Sequence, residues 1–211
     1  MCLENQWLLI NPFMGYKGKV KKVRRGFLSE EEIERIANKE FATERLSQVR
    51  DVFLFSCYTG LAYTDVKKLR TSHIVKRTDG NKWIVDSRKK TDVDYNIPLL
   101  PPALELLEKY ENNPDCTSKG IPLPVLSNQK MNDYLKEIAG VCGINQTLTF
   151  HIARHTFATT VTLLNGVPIE SVSKMMGHTN IKTTQIYGKI LDLKVGRDME
   201  RLKRELYFGT A

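Results

Sequence analysis

The sequence predicts a mainly α-helical domain that carries one small antiparallel β-sheet, an α+β fold. Three observations predict it. Apolar residues recur at helical spacing along most of the chain. Between residues 73 and 97 the pattern changes to three short runs rich in β-formers, and from residue 127 onward every segment reads as helix again. With 211 residues, the chain can bury an adequate core without disulfide or metal staples.

Residues 1–27 read as an irregular lead-in, with Asn11-Pro12-Phe13 as a turn signal. The first helix starts at Ser29, where Ser29 and Glu32 form a capping box and Ile33 and Ile36 supply an apolar face. A second helix runs from about Thr43 to Tyr58. Its Leu46, Val49, Val52, Phe53 and Cys57 recur at helical spacing, and Thr59-Gly60 stops it. A short helix follows over about Thr64 to Leu69. His73–Lys76, Lys82–Asp86 and Val93–Ile97 read as strands, with Asp79-Gly80 turning between the first two and Pro98 ending the third. Pro101-Pro102 open a helix with Leu104, Leu107 and Tyr110 on one face, and residues 112–125 read as a loop. The remaining helices are expected over about 127–140, 150–165, 168–176, 180–187 and 190–206. Gly143 and Gly166 act as stops and Pro168 as a first helical residue. No linker is evident after residue 27, so residues 1–27 form a basic lead-in and 28–211 one domain with a helical tail.

The net charge of +8 favours a polyanionic partner. Six basic residues and no acidic one lie between Lys17 and Arg25, which makes that stretch either a solvated segment or an arm that tracks phosphates. No apolar run is long enough to span a bilayer, and the first residues lack a secretory pattern, so no membrane partner and a cytoplasmic location are expected. Cys2, Cys57, Cys116 and Cys142 are scattered and read as reduced thiols. Zinc spacing and a phosphate-binding Gly-rich loop ending in Lys-Ser/Thr are both missing, and no cofactor or metal is expected.

Three clusters carry chemistry. His151 and Arg154 are three apart on one helix and share a face. Gly177-His178 follows the next helix, and Tyr187 comes nine residues after His178. Singly, each has an ordinary explanation: a solvated helix face, a C-cap glycine with a polar turn, a half-buried ring. Together, His151, Arg154, His178 and Tyr187 fall in order within 37 residues. This order resembles the C-terminal signature of the tyrosine recombinases, or phage integrase family, as do Arg154-His155-Thr156-Phe157-Ala158-Thr159 and Met176-Gly177-His178-Thr179-Asn180. Upstream, Tyr58-Thr59-Gly60-Leu61 with Asp65 is similar to the family's first box. Arg88-Lys89-Lys90-Thr91 with Ile97-Pro98-Leu99 is similar to the segment that supplies a catalytic lysine.

The resemblance covers about residues 27 to 206. It implies the tyrosine recombinase catalytic-domain fold for 28–211, with 1–27 as part of an interdomain connection. It also implies a site-specific recombinase or integrase of a mobile element. Such an enzyme cuts and rejoins double-stranded DNA through a 3′-phosphotyrosine, without metal or ATP. Tyr187 would be the nucleophile, and since a phenol titrates near 10 it needs a base or a positive field. His151 is the base chosen for it, His178 a hydrogen-bond donor to phosphate, and Lys90 the proton donor to the departing 5′ oxygen. Arg154 would hold the non-bridging oxygens, because its planar fork binds two at once. His155, about 100° round the helix from Arg154, and His73 are read as structural.

One departure matters. The family's first box ends in arginine, where this chain has Ala62. Arg88, two residues before Lys90 on an expected strand, is the candidate for the missing guanidinium, with Arg50 and Arg70 as alternatives. A catalytically impaired recombinase-like module that holds DNA is the competing reading, and a supercoil-relaxing enzyme of the same chemistry is another. The tail places Val195, Met199, Leu202 and Leu206 on one stripe. It packs on its own domain or, as the resemblance implies, on a neighbouring protomer.

Overall fold

The computed structural model describes residues 4–8, 10–16, 26–88 and 93–208, and among these the chain is mainly helical with one three-stranded sheet. Helix α1 (Glu30–Ala37) begins as expected: Glu32 N donates to Ser29 Oγ at 3.2 Å, and Ser29 N donates back to the Glu32 carboxylate at 2.9 Å. Helix α2 (Glu44–Thr59) is the centre of the core. Leu46, Val49, Val52, Phe53, Leu54, Phe55 and Cys57 are all buried, and from Asp51 onward the helix is enclosed nearly all round, Asp51, Ser56 and Thr59 included. Gly60 ends it with φ 69°, and a Cβ there would stand 2.3 Å from the Phe157 ring, so both backbone and space demand glycine.

Helix α3 (Tyr63–Lys68) leads into the sheet, whose strands β1 (Ile74–Lys76), β2 (Lys82–Ser87) and β3 (Asp94–Pro98) pair antiparallel in sequence order. Ile84, Tyr95 and Ile97 turn inward and are fully buried. His73 does not open β1 as expected. It lies in a 3₁₀ turn, Thr71–His73, with its Nδ1 3.2 Å from an Asp86 carboxylate oxygen. Strand β2 ends at Ser87, so Arg88 lies just past it, although Arg88 N still donates to Val93 O at 2.8 Å. The strand alternation meant to align Arg88 with Lys90 therefore stops short, and Lys90 lies outside the described residues.

Helix α4 (Pro101–Tyr110) packs on α2. The loop expected over 112–125 contains a helix instead, α5 (Pro114–Lys119). Asn113 caps it by accepting from Cys116 N at 3.2 Å, Pro114 opens it, and Gly120 closes it at φ 61°. The Asn, Pro and Gly that read as loop punctuation are the two ends of one short helix. Helix α6 (Asn128–Val141) follows.

The helix expected over 150–165 changes pitch twice. Helix α7 (Phe150–Thr156) passes into a π-helical stretch, Phe157–Thr162, and then a 3₁₀ turn, Leu163–Asn165. Buried threonines bond their own backbone here: Thr159 Oγ1 donates to His155 O at 2.7 Å, and Thr162 Oγ1 to Phe157 O at 2.9 Å. Such bonds compete with the regular ladder and accompany the widened turn. Two more threonines fasten the start of the domain. Leu28 N donates to Thr156 Oγ1 at 3.0 Å, and Thr160 Oγ1 donates to Leu28 O. Helices α8 (Ile169–Met175) and α9 (Ile181–Thr184), a 3₁₀ stretch Gln185–Ile190 and the long α10 (Leu191–Phe208) complete the described chain. No helix among the described residues is long and apolar enough to cross a membrane.

Candidate active site

Arg154 is the hub. Helix α7 carries it toward the ends of two other helices. Its Nη1 donates to Gly60 O at 2.5 Å, at the end of α2. Its Nη2 donates to Met176 O at 2.6 Å and approaches His178 Nε2 at 2.9 Å, both in the turn after α8. A guanidinium only donates, so His178 Nε2 accepts, and its Nδ1–H donates to Thr184 Oγ1 at 2.8 Å. That second bond ties the His178 turn to α9, whose continuation carries Tyr187.

Burial and the neighbouring positive charge of Arg88 push Arg154 down to about 10, partly offset by Tyr187, Asp65 and Tyr95, so it stays charged at neutral pH. Burial, then Arg154 and Arg88, push His178 down to about 4. The folded state therefore resists a proton that an unfolded chain accepts near 6.5. Stability conferred by this group is present above 6.5 and is lost as pH falls toward 4. Once solvent screening at a half-buried ring is allowed for, the loss should be about 1–2 kcal/mol. Urea unfolding across that pH range should show a slope that flattens in His178→Asn; an unchanged slope would place the proton uptake elsewhere.

Tyr187 is buried among Phe157, Ala158, Leu163, Val172 and Met176. Its ring meets His155 edge-on at 4.9 Å, and His155 in turn meets the exposed His151 ring at 4.7 Å. Arg154, His178, His151 and Tyr187 are thus gathered around α7, as the sequence motif requires. His155, read from the sequence as structural, stands between the His151 and Tyr187 rings. It lies four residues after His151, a spacing that puts both rings on one helix face.

Arg88 also reaches this cluster. Its Nε donates to Met176 O at 3.0 Å, its Nη2 to Met175 O at 3.1 Å, and its Nη1 pairs with buried Asp65 at 2.7 Å. The guanidinium lies over the Tyr95 ring, 4.3 Å from its centroid. Its stem passes so close to Gly177 (φ 58°) that a Cβ there would lie 2.9 Å from it. The alternatives are engaged elsewhere: Arg50 pairs with Asp51 at 2.8 Å, and Arg70 donates to Lys119 O at 2.8 Å. Ala62 lines a cavity of about 320 Å³ shared with Thr64, Asn128, Asn132, His151 and Arg154. Among the described residues, no three His, Cys, Asp or Glu side chains converge as a metal site would require.

Comparison with known proteins agrees with this geometry. The chain is 29% identical over 171 residues to the tyrosine recombinase XerD of Lacticaseibacillus casei, covering 76% of this chain and 57% of that protein. It is 32% identical over 148 residues to XerD of Listeria innocua, covering 65% and 48% respectively. It thus spans about half the length of these curated relatives. Its fold matches a lambda integrase(75-356) dimer bound to a COC′ core site, with a TM-score of 0.70 at 19% identity over 88% of this chain and 67% of that one. It also matches the XerA recombinase, with a TM-score of 0.64 at 23% identity over 87% and 67%. The family model described as the phage integrase family matches residues 26–193. That span takes in the sheet, α7 and every side chain gathered around Arg154, and the chain belongs to the phage integrase family.

Proposed function

We propose that this chain is the catalytic domain of a site-specific DNA recombinase or integrase, in which Tyr187 attacks a backbone phosphate held by Arg154. The observation that carries the reading is the convergence on α7: one part-buried guanidinium, two histidines close to it, and a tyrosine packed against the same helix. Phosphoryl transfer from one oxygen to another needs fixed positive donors around an anionic transition state, and Arg154 supplies them. The Tyr187 Oη–P bond forms as the P–O5′ bond breaks. The phenol proton goes to His151, and Lys90 gives one to the departing 5′ oxygen. One phosphodiester replaces another, so the bond energy is kept.

His178 rests as an acceptor from Arg154. A bound phosphate would draw on the Arg154 donors and raise the proton affinity of the imidazole, turning Nε2 into a donor to phosphate. Arg88 contributes its charge from behind Arg154 and holds the Met175–Met176 turn that presents His178. Its donors to Asp65 and the two carbonyls support this role over direct contact with phosphate.

A library of nicked duplexes, randomised around the nick, provides the test. The parent should leave a covalent protein–DNA product on a denaturing gel, and Tyr187→Phe should leave none. DNA binding by the parent without any such product would favour the second reading, an impaired DNA-binding module, for which Ala62 and the engagement of Arg88 by Asp65 are the motivating observations.

We also propose that α10 mediates self-association on DNA. Val195, Met199, Leu202, Leu206 and Tyr207 lie exposed along it, a stripe unlike an ordinary solvent face. Within its own chain, an ion pair from Arg197 to Glu30 at 3.6 Å joins it to α1. Leu202→Glu combined with Met199→Glu should shift DNA-bound complexes toward one protomer in sedimentation; unchanged assembly would exclude the stripe.

A further inference from the structure

We propose that His155 is the positioning residue that orients the Tyr187 phenol. This rests on the reading of Tyr187 as nucleophile and goes beyond it, because the motif assigns His155 no part. The apolar residues around Tyr187 (Phe157, Ala158, Leu163, Val172 and Met176) confine its ring. The His155 ring adds a contact whose geometry depends on the angle of the phenol. It meets Tyr187 at 4.9 Å with an interplanar angle of 74°, and His151 at 4.7 Å and 62°. Edge-to-face contacts depend on angle, so the imidazole works as a stop against which the phenol settles.

His155 is itself well held. It is 8% exposed and sits on the last turn of α7, just before the π-helical stretch, with Thr159 Oγ1 donating to its carbonyl at 2.7 Å. Tyr187 comes from a short 3₁₀ stretch, a class of element with poorer hydrogen-bond geometry than an α-helix. The rigid partner therefore sets the angle of the other. His155 also links Tyr187 to His151, touching both rings, so it relates the nucleophile to its proposed base.

The experiment measures single-turnover cleavage of nicked duplex at saturating DNA, with product amplitude reporting the competent fraction. His155→Ala should lower the rate constant about tenfold or more, as expected for a misaligned nucleophile, while DNA affinity stays unchanged. His155→Phe, which keeps an aromatic edge, should restore most of the rate. In protein labelled with ¹³C-tyrosine, the ring signal missing from Tyr187→Phe should move in His155→Ala and need no turnover to be read. An unchanged rate constant in His155→Ala, equal losses in the alanine and phenylalanine variants, or a Tyr187 signal that does not move would each overturn the proposal and leave the recombinase reading intact. A parent chain that forms no covalent product fails the recombinase reading instead, and the ring signal still reports the contact.

Discussion

Arg154→Ala is expected to slow covalent adduct formation by a factor on the order of 10²–10³, or about 2.7–4 kcal/mol of transition-state stabilisation. The side chain should matter twice. On the proposed reading it would be the charged donor at the phosphate, and in the resting protein it ties Gly60 O to Met176 O and His178. Its removal takes this donor from Gly60 O at a part-buried site and leaves Met176 O to Arg88 alone, so stability should also fall by about 1–3 kcal/mol. Arg154→Lys should recover little of the rate, because a single ammonium cannot span three acceptors arranged around a planar fork. Single-turnover cleavage of nicked duplex beside urea unfolding separates the two effects. A lysine variant within a few-fold of the parent would show that charge alone suffices and that the fork is incidental.

The second large effect should come from Asp65. Its carboxylate is buried against Arg88, with side-chain exposures of 3% and 6%, and Arg88 lies beside the charged Arg154. Asp65→Leu would leave a buried guanidinium uncompensated next to a second one and should cost about 3–5 kcal/mol. Asp65→Leu with Arg88→Met removes the orphaned charge and should regain more than half of that loss. The double variant should remain slow in cleavage, since the positive field behind Arg154 and the hold on the Met175–Met176 turn are both gone. Urea midpoints of the four proteins in this cycle give the coupling directly. Strictly additive losses would mean that the pair does not act as a unit.

Much of this arrangement could be read from residue spacing, and the exceptions have physical causes. Ser29 with Glu32, the apolar repeat from Leu46 to Cys57, and Gly60 as a stop are local signals, and local backbone physics settles them. Helix α5 was missed because Asn113, Pro114 and Gly120 serve loops and helix ends alike. The pitch changes after Thr156 were missed because apolar periodicity does not register threonine hydroxyls bonding backward along a helix. Around Arg154 the ordered motif named four residues that do converge. Arg88 was placed in the right neighbourhood, but its direction was not legible. Strand β2 stops at Ser87, one residue before Arg88, and Asp65, 23 positions away, captured the guanidinium. His155 escaped because its position was measured from Arg154, whereas its partners are His151 and Tyr187.

The clasp on Leu28 has a mechanical consequence. Both backbone polar groups of that residue are gripped by hydroxyls one helical turn apart, from Thr156 and Thr160, on the same continuous helical run that bears His151, Arg154 and His155. Gln146 adds a third grip at Phe27 O, at 2.9 Å. Phe27 and Leu28 are therefore coupled directly to the helical run that carries His151, Arg154 and His155, so a displacement of one is felt by the other.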